Sequence, residues 1–272
     1  MKLEFKKDAL LNGINIVSKA IPSRTTMSIL ECILIDADAG EIKLTGNDME
    51  LGIETKVEGS ILERGKIALE AKLFYEIIRK LPDGDTPVTI TSDNRFNTVI
   101  ECENAVFNIQ GRDGEEFSYL PYIERDQHIS LTQFTLKEAI RQTIFSISPN
   151  DSNKMMAGEL LEVKDDFLKV VSLDGHRISI RNIQLKEHYD NHKVIVPGKT
   201  LSEISKILTG DNEKEVLIYF SKNHILFEFD DTVVVSRLIE GEYFKIDHML
   251  SSDYETRVKI NKRDFMYNID RA

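Results

Sequence analysis

Lys193-Val194-Ile195-Val196, followed by Leu201, Ile204 and Leu208, restates Lys66-Ile67-Ala68-Leu69, followed by Phe74, Ile77 and Leu81, at an offset of 127 residues. Each stretch is an apolar run leading into apolar residues spaced at three and four, which reads as a strand followed by an amphipathic helix. Working outward, the register persists. Leu3-Glu4-Phe5 with Leu10, Ile14 and Val17 returns as Ile129-Ser130-Leu131 with Leu136, Ile140 and Thr143, at offset 126. Ile42-Lys43-Leu44 leading to Asp48 returns as Leu168-Lys169-Val170 leading to Asp174, again at 126. Gly114-Glu115-Glu116-Phe117 returns as Gly241-Glu242-Tyr243-Phe244, at 127. One register kept over so many elements, with a single inserted residue, identifies a duplication. A third copy opens at Val258-Lys259-Ile260 with Phe265 and Ile269. Each copy is itself doubled at about 64 residues, Phe5 and Leu10 matching Leu69 and Phe74.

The expected fold class is α+β: tandem similar domains, each with two helices packed on antiparallel sheets. Helices are expected near 7–19, 72–81, 134–145 and 199–208. The turn residues Pro82-Asp83-Gly84-Asp85 and Thr209-Gly210-Asp211-Asn212 stop the second and fourth. Alternating runs such as Ile42-Lys43-Leu44, Val99-Ile100-Glu101 and Leu217-Ile218-Tyr219-Phe220 read as strands. Gly111 to Gln127, charged and carrying Pro121, reads as the linker. The expected domains are 1–124, 125–250 and 251–272, the last being the start of a third and incomplete as the chain stands.

The 272 residues are 41% hydrophobic and 30% charged, an ordinary globular mixture that excludes disordered and collagen-like classes. No apolar run reaches the ~18–20 residues of a membrane span. Met1-Lys2-Leu3-Glu4-Phe5-Lys6-Lys7-Asp8 mixes charged and apolar residues unlike a signal peptide, so cytoplasmic residence is the expectation. Cys32 and Cys102 lie far apart in apolar runs and read as reduced, buried residues.

Lys and Arg number 35 against 46 Asp and Glu, a net charge of −11. That argues against a simple nucleic-acid binder unless the cations share a face. The apolar stripes of the four helices turn Lys7, Asn12, Asn15 and Lys19 outward on the first. Lys72, Arg79 and Lys80 face outward on the second, Lys137 and Arg141 on the third, and Lys199 and Lys206 on the fourth. The helices are net basic while acids gather in loops, which is the pattern of a concave surface holding phosphates without reading bases.

Catalytic constellations are missing. There is no glycine-rich phosphate loop and no Gly-x-Ser-x-Gly elbow, and no cofactor is implied. His188 and His192 sit in a polar stretch that reads as a loop, and no metal is expected there. Asp174-Gly175-His176-Arg177 is the most suggestive string, yet no further His or Cys stands at ligand spacing. Its first-copy counterpart, Asp48-Met49-Glu50-Leu51, keeps only the Asp. The two aspartates are therefore expected to do one structural job, capping backbone donors, and the other three residues to be particular to the second copy.

Asp174-Gly175-His176-Arg177, Val194-Ile195-Val196-Pro197 and Arg237-Leu238-Ile239-Glu240-Gly241, with Leu44-Thr45-Gly46-Asn47-Asp48-Met49-Glu50 and Leu81-Pro82-Asp83-Gly84, resemble the bacterial DNA polymerase III beta subunit family, the beta sliding clamps. The likeness covers the whole chain. It implies the DNA-clamp fold, with helices lining a central channel and two chains joined head to tail as a homodimer ring around duplex DNA. It implies a non-catalytic processivity factor for DNA replication. The implied partners are duplex DNA, the DNA polymerase III catalytic subunit, the clamp loader, and other polymerases and repair proteins carrying clamp-binding peptides; no membrane is implied. Positions matching DNA-facing residues are Arg24, Lys72, Arg79, Asn150, Lys154 and Lys199. Positions matching the partner-peptide pocket are Met156, Leu173, Gly175, His176, Arg177 and Ile178, with Phe244, His248 and Met249. Phe107 and Ile109 match the subunit interface. The chain departs from the family pattern at Leu173, where Thr is frequent, at Phe244-Lys245-Ile246, where Pro-Asp-Tyr is usual, and at His248, where Arg is common.

Overall fold

The computed structural model describes residues 1–148, 153–250 and 254–272. The chain opens with β1 (Lys2–Phe5) and α1 (Lys7–Val17). There follow β2 (Cys32–Asp36), β3 (Lys43–Asn47), β4 (Leu51–Lys56), β5 (Gly59–Glu63) and β6 (Lys66–Glu70), which runs straight into α2 (Ala71–Lys80). β7 (Val88–Ser92), β8 (Asn97–Cys102), β9 (Ala105–Gln110) and the short β10 (Arg112–Asp113) complete the first copy. The second has β11 (His128–Thr132), α3 (Gln133–Thr143), β12 (Gly158–Leu173), β13 (Ile178–Pro197), α4 (Gly198–Ile207), β14 (Glu215–Phe220), β15 (His224–Phe229) and β16 (Thr232–Arg237). α1 and α3 differ by 126 at both ends, and α2 and α4 by 127, so the repeat read from apolar spacing is a repeat of elements.

Met1–Gly241 forms one compact unit and Glu242–Ala272 a second. The second holds a 3₁₀ turn at Ile246–His248 and α5 (Lys262–Ile269), whose N-cap Asn261 accepts from the backbone N–H of Arg263 and Asp264.

In the first unit, one nine-stranded sheet has the order β10-β6-β2-β3-β4-β16-β15-β14-β11. Its centre is the antiparallel pair β4–β16, with Ile53 opposite Val234 and Thr55 opposite Thr232. The Thr55 and Thr232 hydroxyls are buried and 2.9 Å apart. A five-stranded sheet has the order β5-β1-β7-β8-β9, and β12 pairs with β13 along its length. The helices lie beside one another in pairs, α1 with α2 and α3 with α4. Leu10, Ile14, Phe74 and Ile78 pack with Leu3 and Phe5; Leu136, Ile140, Leu201 and Ile204 join the same core. Each fully buried Leu, Ile or Phe contributes about 1.5–3 kcal/mol relative to exposure. Both cysteines are free and buried, and burial raises both thiols above their usual range.

Four expectations need correction. α1 and α3 end at Val17 and Thr143 and tighten into 3₁₀ turns, Ser18–Ala20 and Ile144–Ser146. Lys7 is not on the outer face of α1: it is 8% exposed, and its Nζ donates to the Leu81 carbonyl at 2.6 Å and to Asp83. The stretch around His188 and His192 is not a loop but part of β13, paired to β12. Finally, Arg112 and Asp113 pair with β6, so the linker without regular structure is the shorter 117–127. Leu120 of that linker lies over Gly52, where a Cβ would stand 2.0 Å from Leu120 Cδ2. Ile123 is buried with Tyr219, Leu226 and Val235. Lys66 lies 3.1–3.6 Å from carboxylates of Asp36, Asp38 and Glu115 and donates to the Tyr119 hydroxyl at 2.9 Å. That hydroxyl, then the acids, hold its ammonium well above the usual lysine range.

Candidate functional site

α2 buries Ala71, Phe74, Ile77 and Ile78, which leaves Lys72, Arg79 and Lys80 exposed. Arg79 pairs with Glu76 at 2.7 Å, and Arg141 of α3 with Glu138 at 2.6 Å. Each pair pulls its glutamate below the ordinary carboxylate range, mainly through the guanidinium hydrogen bond. Arg24 is exposed in the loop after α1, and Lys154 is exposed in a 3₁₀ turn, Lys154–Ala157. Lys199, exposed at the start of α4, pairs with Asp48 of the first copy. Asn150 lies outside the described residues.

Because β4 pairs with β16, α1 and α4 meet at one cleft of about 390 Å³. Asn12 and Asn15 line it from α1, Lys19 from the 3₁₀ turn that follows and Lys206 from α4, with Lys56 on β4 and the acids Asp230 and Asp231. Lys206 and Lys56 also hold Glu203 at 2.7 Å and Glu41 at 2.9 Å. Lys19 and Lys72 flank a second hollow of about 290 Å³ floored by Ile21, Ala71 and Tyr75. The grouping of Lys206 with Lys19 and Lys56 is not legible in sequence, because the β4–β16 ladder brings the second copy beside the first.

The second constellation is the corner after β12. Asp174 Oδ1 accepts from the backbone N–H of His176 at 3.1 Å and Arg177 at 3.2 Å, while Oδ2 accepts from Arg177 Nε at 2.9 Å. The His176 N–H, followed by Arg177, holds this carboxyl below its usual range. Asp48 makes the same turn: its Oδ1 accepts from Glu50 N at 3.0 Å and Leu51 N at 2.7 Å. The shared structural job expected of the two aspartates is thus seen in both. Gly175, however, is not what distinguishes the second copy. Its φ is +88°, and Met49 at the matching position has φ +74°, so both copies make the same left-handed turn. The side chains of His176 and Arg177 are the real difference. Both are exposed, and the Arg177 guanidinium stands 5.7 Å from the Phe145 ring centroid. Leu173 is buried, while Ile178 and Met156 are half-buried. Phe145, 56% exposed beside Arg177, is a residue of this corner that sequence reasoning missed; its position two residues past α3 carried no periodic signal.

Phe244, His248 and Met249 belong to the unit Glu242–Ala272, where Phe244 is half-buried and the other two exposed. Phe244 meets the Tyr243 ring edge-on at 5.7 Å. Phe107 and Ile109 lie on β9, the last strand of the five-stranded sheet; Phe107 is 36% exposed and Ile109 half-buried. His128, His188 and His192 line one cleft of about 570 Å³ between β11 and β13. His192 stacks on Phe220 at 4.5 Å and His128 tilts over Tyr219 at 5.3 Å. Among the described residues no three His, Cys, Asp or Glu stand as a metal-holding group. Nor does any helix among them have the length and apolarity to cross a membrane.

Comparison with known proteins agrees with this arrangement. Residues 1–121 match the family model of the DNA polymerase III beta subunit, N-terminal domain, and residues 130–245 that of its central domain. The beta sliding clamp of Staphylococcus epidermidis is 36% identical over 280 residues, covering all of this chain and 74% of the relative. That of Staphylococcus aureus is 35% identical with the same coverage. The structure of a DNA polymerase III beta subunit from Eubacterium rectale superimposes with a TM-score of 0.97 at 66% identity, covering all of this chain and 74% of the other. The DNA polymerase sliding clamp of Bacillus subtilis does so at 0.96 and 33% identity, covering 100% and 73%. With both copies matched in order and the α+β clamp architecture reproduced, the chain belongs to the DNA polymerase III beta subunit family and is a DNA sliding clamp of replication, not an enzyme.

Proposed function

We propose that Arg24, Lys72, Arg79, Lys154 and Lys199 face the phosphates of duplex DNA and carry no base readout, the sixth position of the set, Asn150, lying outside the described residues. The observation that supports this best is that all five cations are exposed, Lys72 sharing a hollow with Lys19, on two copies that the β4–β16 pairing joins. Domain limits of 1–124, 125–250 and 251–272 follow the repeat. β9 is the counterpart of β16 at offset 127, and it ends its sheet with Val106 and Phe107 exposed. A second chain docking a strand on that edge, against Phe107 and Ile109, gives the head-to-tail homodimer ring.

Half-buried Met156 and Ile178 with Gly175, His176 and Arg177 form an adaptable apolar surface with polar orienting groups, suited to a short apolar peptide, and the buried Leu173 belongs to the same set. Phe244, His248 and Met249 serve the same partners: the DNA polymerase III catalytic subunit, the clamp loader, and other polymerases and repair proteins. Binding on a ring around DNA raises effective concentration, so processivity follows without a new active site. The cytoplasm is the compartment where this work occurs.

The test is the salt dependence of binding to two unrelated labelled duplexes. Arg24→Ala and Lys72→Ala each lower the slope of log K against log salt by about 0.9, equally on both sequences. A slope unchanged by both substitutions, or one that depends on sequence, overturns the phosphate assignment.

A further inference from the structure

Glu159, the second residue of β12, has no solvent exposure. Its Oε2 is 2.9 Å from the Thr143 hydroxyl, and its Oε1 is buried without a hydrogen-bond partner. A buried carboxylate with one oxygen left bare is strongly disfavoured. The proton count points the same way. Thr143 Oγ1 has a single proton and also lies 2.8 Å from the Ala139 carbonyl, which can only accept. A neutral Glu159 donates from Oε2 to Thr143 Oγ1 and leaves that proton for Ala139. Burial pushes the Glu159 carboxyl up to about 8.

Charged groups on the surrounding elements do not offset this. On α3, Lys137 donates to the Leu208 carbonyl and Glu138 pairs with Arg141. On β13, Arg181 is exposed and Lys193 lies 3.7 Å from Glu162 of β12. Lys154 is exposed, and on α4 Lys199 pairs with Asp48 and Lys206 with Glu203. Among the described residues, burial and the Thr143 hydroxyl are what act on Glu159.

The pair sits in a buried polar seam. Ser172 Oγ donates to the Thr143 carbonyl at 2.5 Å, and the Ser146 and Ser179 hydroxyls are 2.6 Å apart. These bonds tie the end of α3 and its 3₁₀ turn to β12 and β13. Leu173 follows Ser172 and Ile178 precedes Ser179 in the chain. Met156 lies in the turn that leads into Glu159, its carbonyl accepting from Ser148 N at 2.8 Å.

We propose that Glu159 is a positioning residue that, as the neutral acid, locks the end of α3 to β12, and that its ionisation releases the surface carrying Met156 and Ile178 together with the buried Leu173. The second half rests on the reading of that surface as a peptide groove.

Two measurements on the whole chain, wild type and Glu159→Gln, decide it. Gln keeps a donor for Thr143 and cannot ionise. An acid whose folded pKa is raised loses stability steadily from its unfolded value near 4.5 up to its folded value, then levels off. Between pH 5.5 and 8.5 the wild-type melting temperature falls on the order of 5 °C more than that of Glu159→Gln. Parallel curves overturn the neutral lock. Next, anisotropy of a fluorescein-labelled Gln-Leu-Ser-Leu-Phe peptide is followed from pH 6.5 to 9. Affinity that drops severalfold in wild type and stays level in Glu159→Gln supports the coupling, and the same profile in both overturns it. Peptide that binds neither protein at any pH overturns the groove reading and with it the coupling, while the melting curves still decide the lock.

Discussion

Lys199 Nζ pairs with Asp48 Oδ2 across 151 residues of chain, so a cation of α4 closes on the turn of the other copy. The two partners are not equivalent. Lys199 is 58% exposed at its side chain, Asp48 only 7%, and Asp48 Oδ1 also receives two backbone N–H groups. Removing the lysine therefore costs about 0–1 kcal/mol, the range of exposed pairs. Asp48→Ala orphans the Glu50 and Leu51 N–H groups and costs about 1–3 kcal/mol. Urea denaturation of the two variants checks the order; equal losses would contradict it.

The matching turns at Met49 and Gly175 make a paired test. Met49 is 56% exposed and has φ +74°, so it contributes strain and little packing. Met49→Gly should stabilise by about 0.5–1 kcal/mol. Gly175→Ala, at φ +88° with open space around the new Cβ, should destabilise by about 1 kcal/mol through the backbone alone. Thermal melts of both variants read the two signs.

Lys7 satisfies the Leu81 carbonyl just past α2 from inside the fold. Its other partner, Asp83, is 93% exposed at its side chain and contributes little. Lys7→Met retains the stem but orphans the carbonyl, for a loss of about 1–3 kcal/mol, whereas Asp83→Asn stays within about 0.5 kcal/mol. Chemical denaturation midpoints separate the two outcomes.

Gly52 is where the linker closes on the sheet. A Cβ there would meet Leu120 Cδ2 at 2.0 Å, so Gly52→Ala displaces Leu120 and costs about 1–3 kcal/mol. Leu120→Ala relieves the clash, and the double variant should be more stable than the sum of the single losses predicts. A strictly additive double variant would show that Leu120 yields without cost.

The repeat, the four helices and the α+β class were all legible in the order of residues. Apolar spacing reports local geometry directly, and duplication prints that spacing twice. The shared turn of Asp48 and Asp174 was legible for the same reason. Lys7 was misread because helical periodicity names a face but not what another element places against it; here α2 ends with a carbonyl that needs a donor. The polar residues 187–192 lacked the alternation of a half-buried strand, yet β12 supplies a partner strand that holds them extended. Lys199 with Asp48, α1 with α4, and Glu159 with Thr143 were decided by the tertiary structure alone. Each depends on distant segments meeting, and the free energy of a buried or paired charge is set by the groups that meet it, not by its neighbours in the chain.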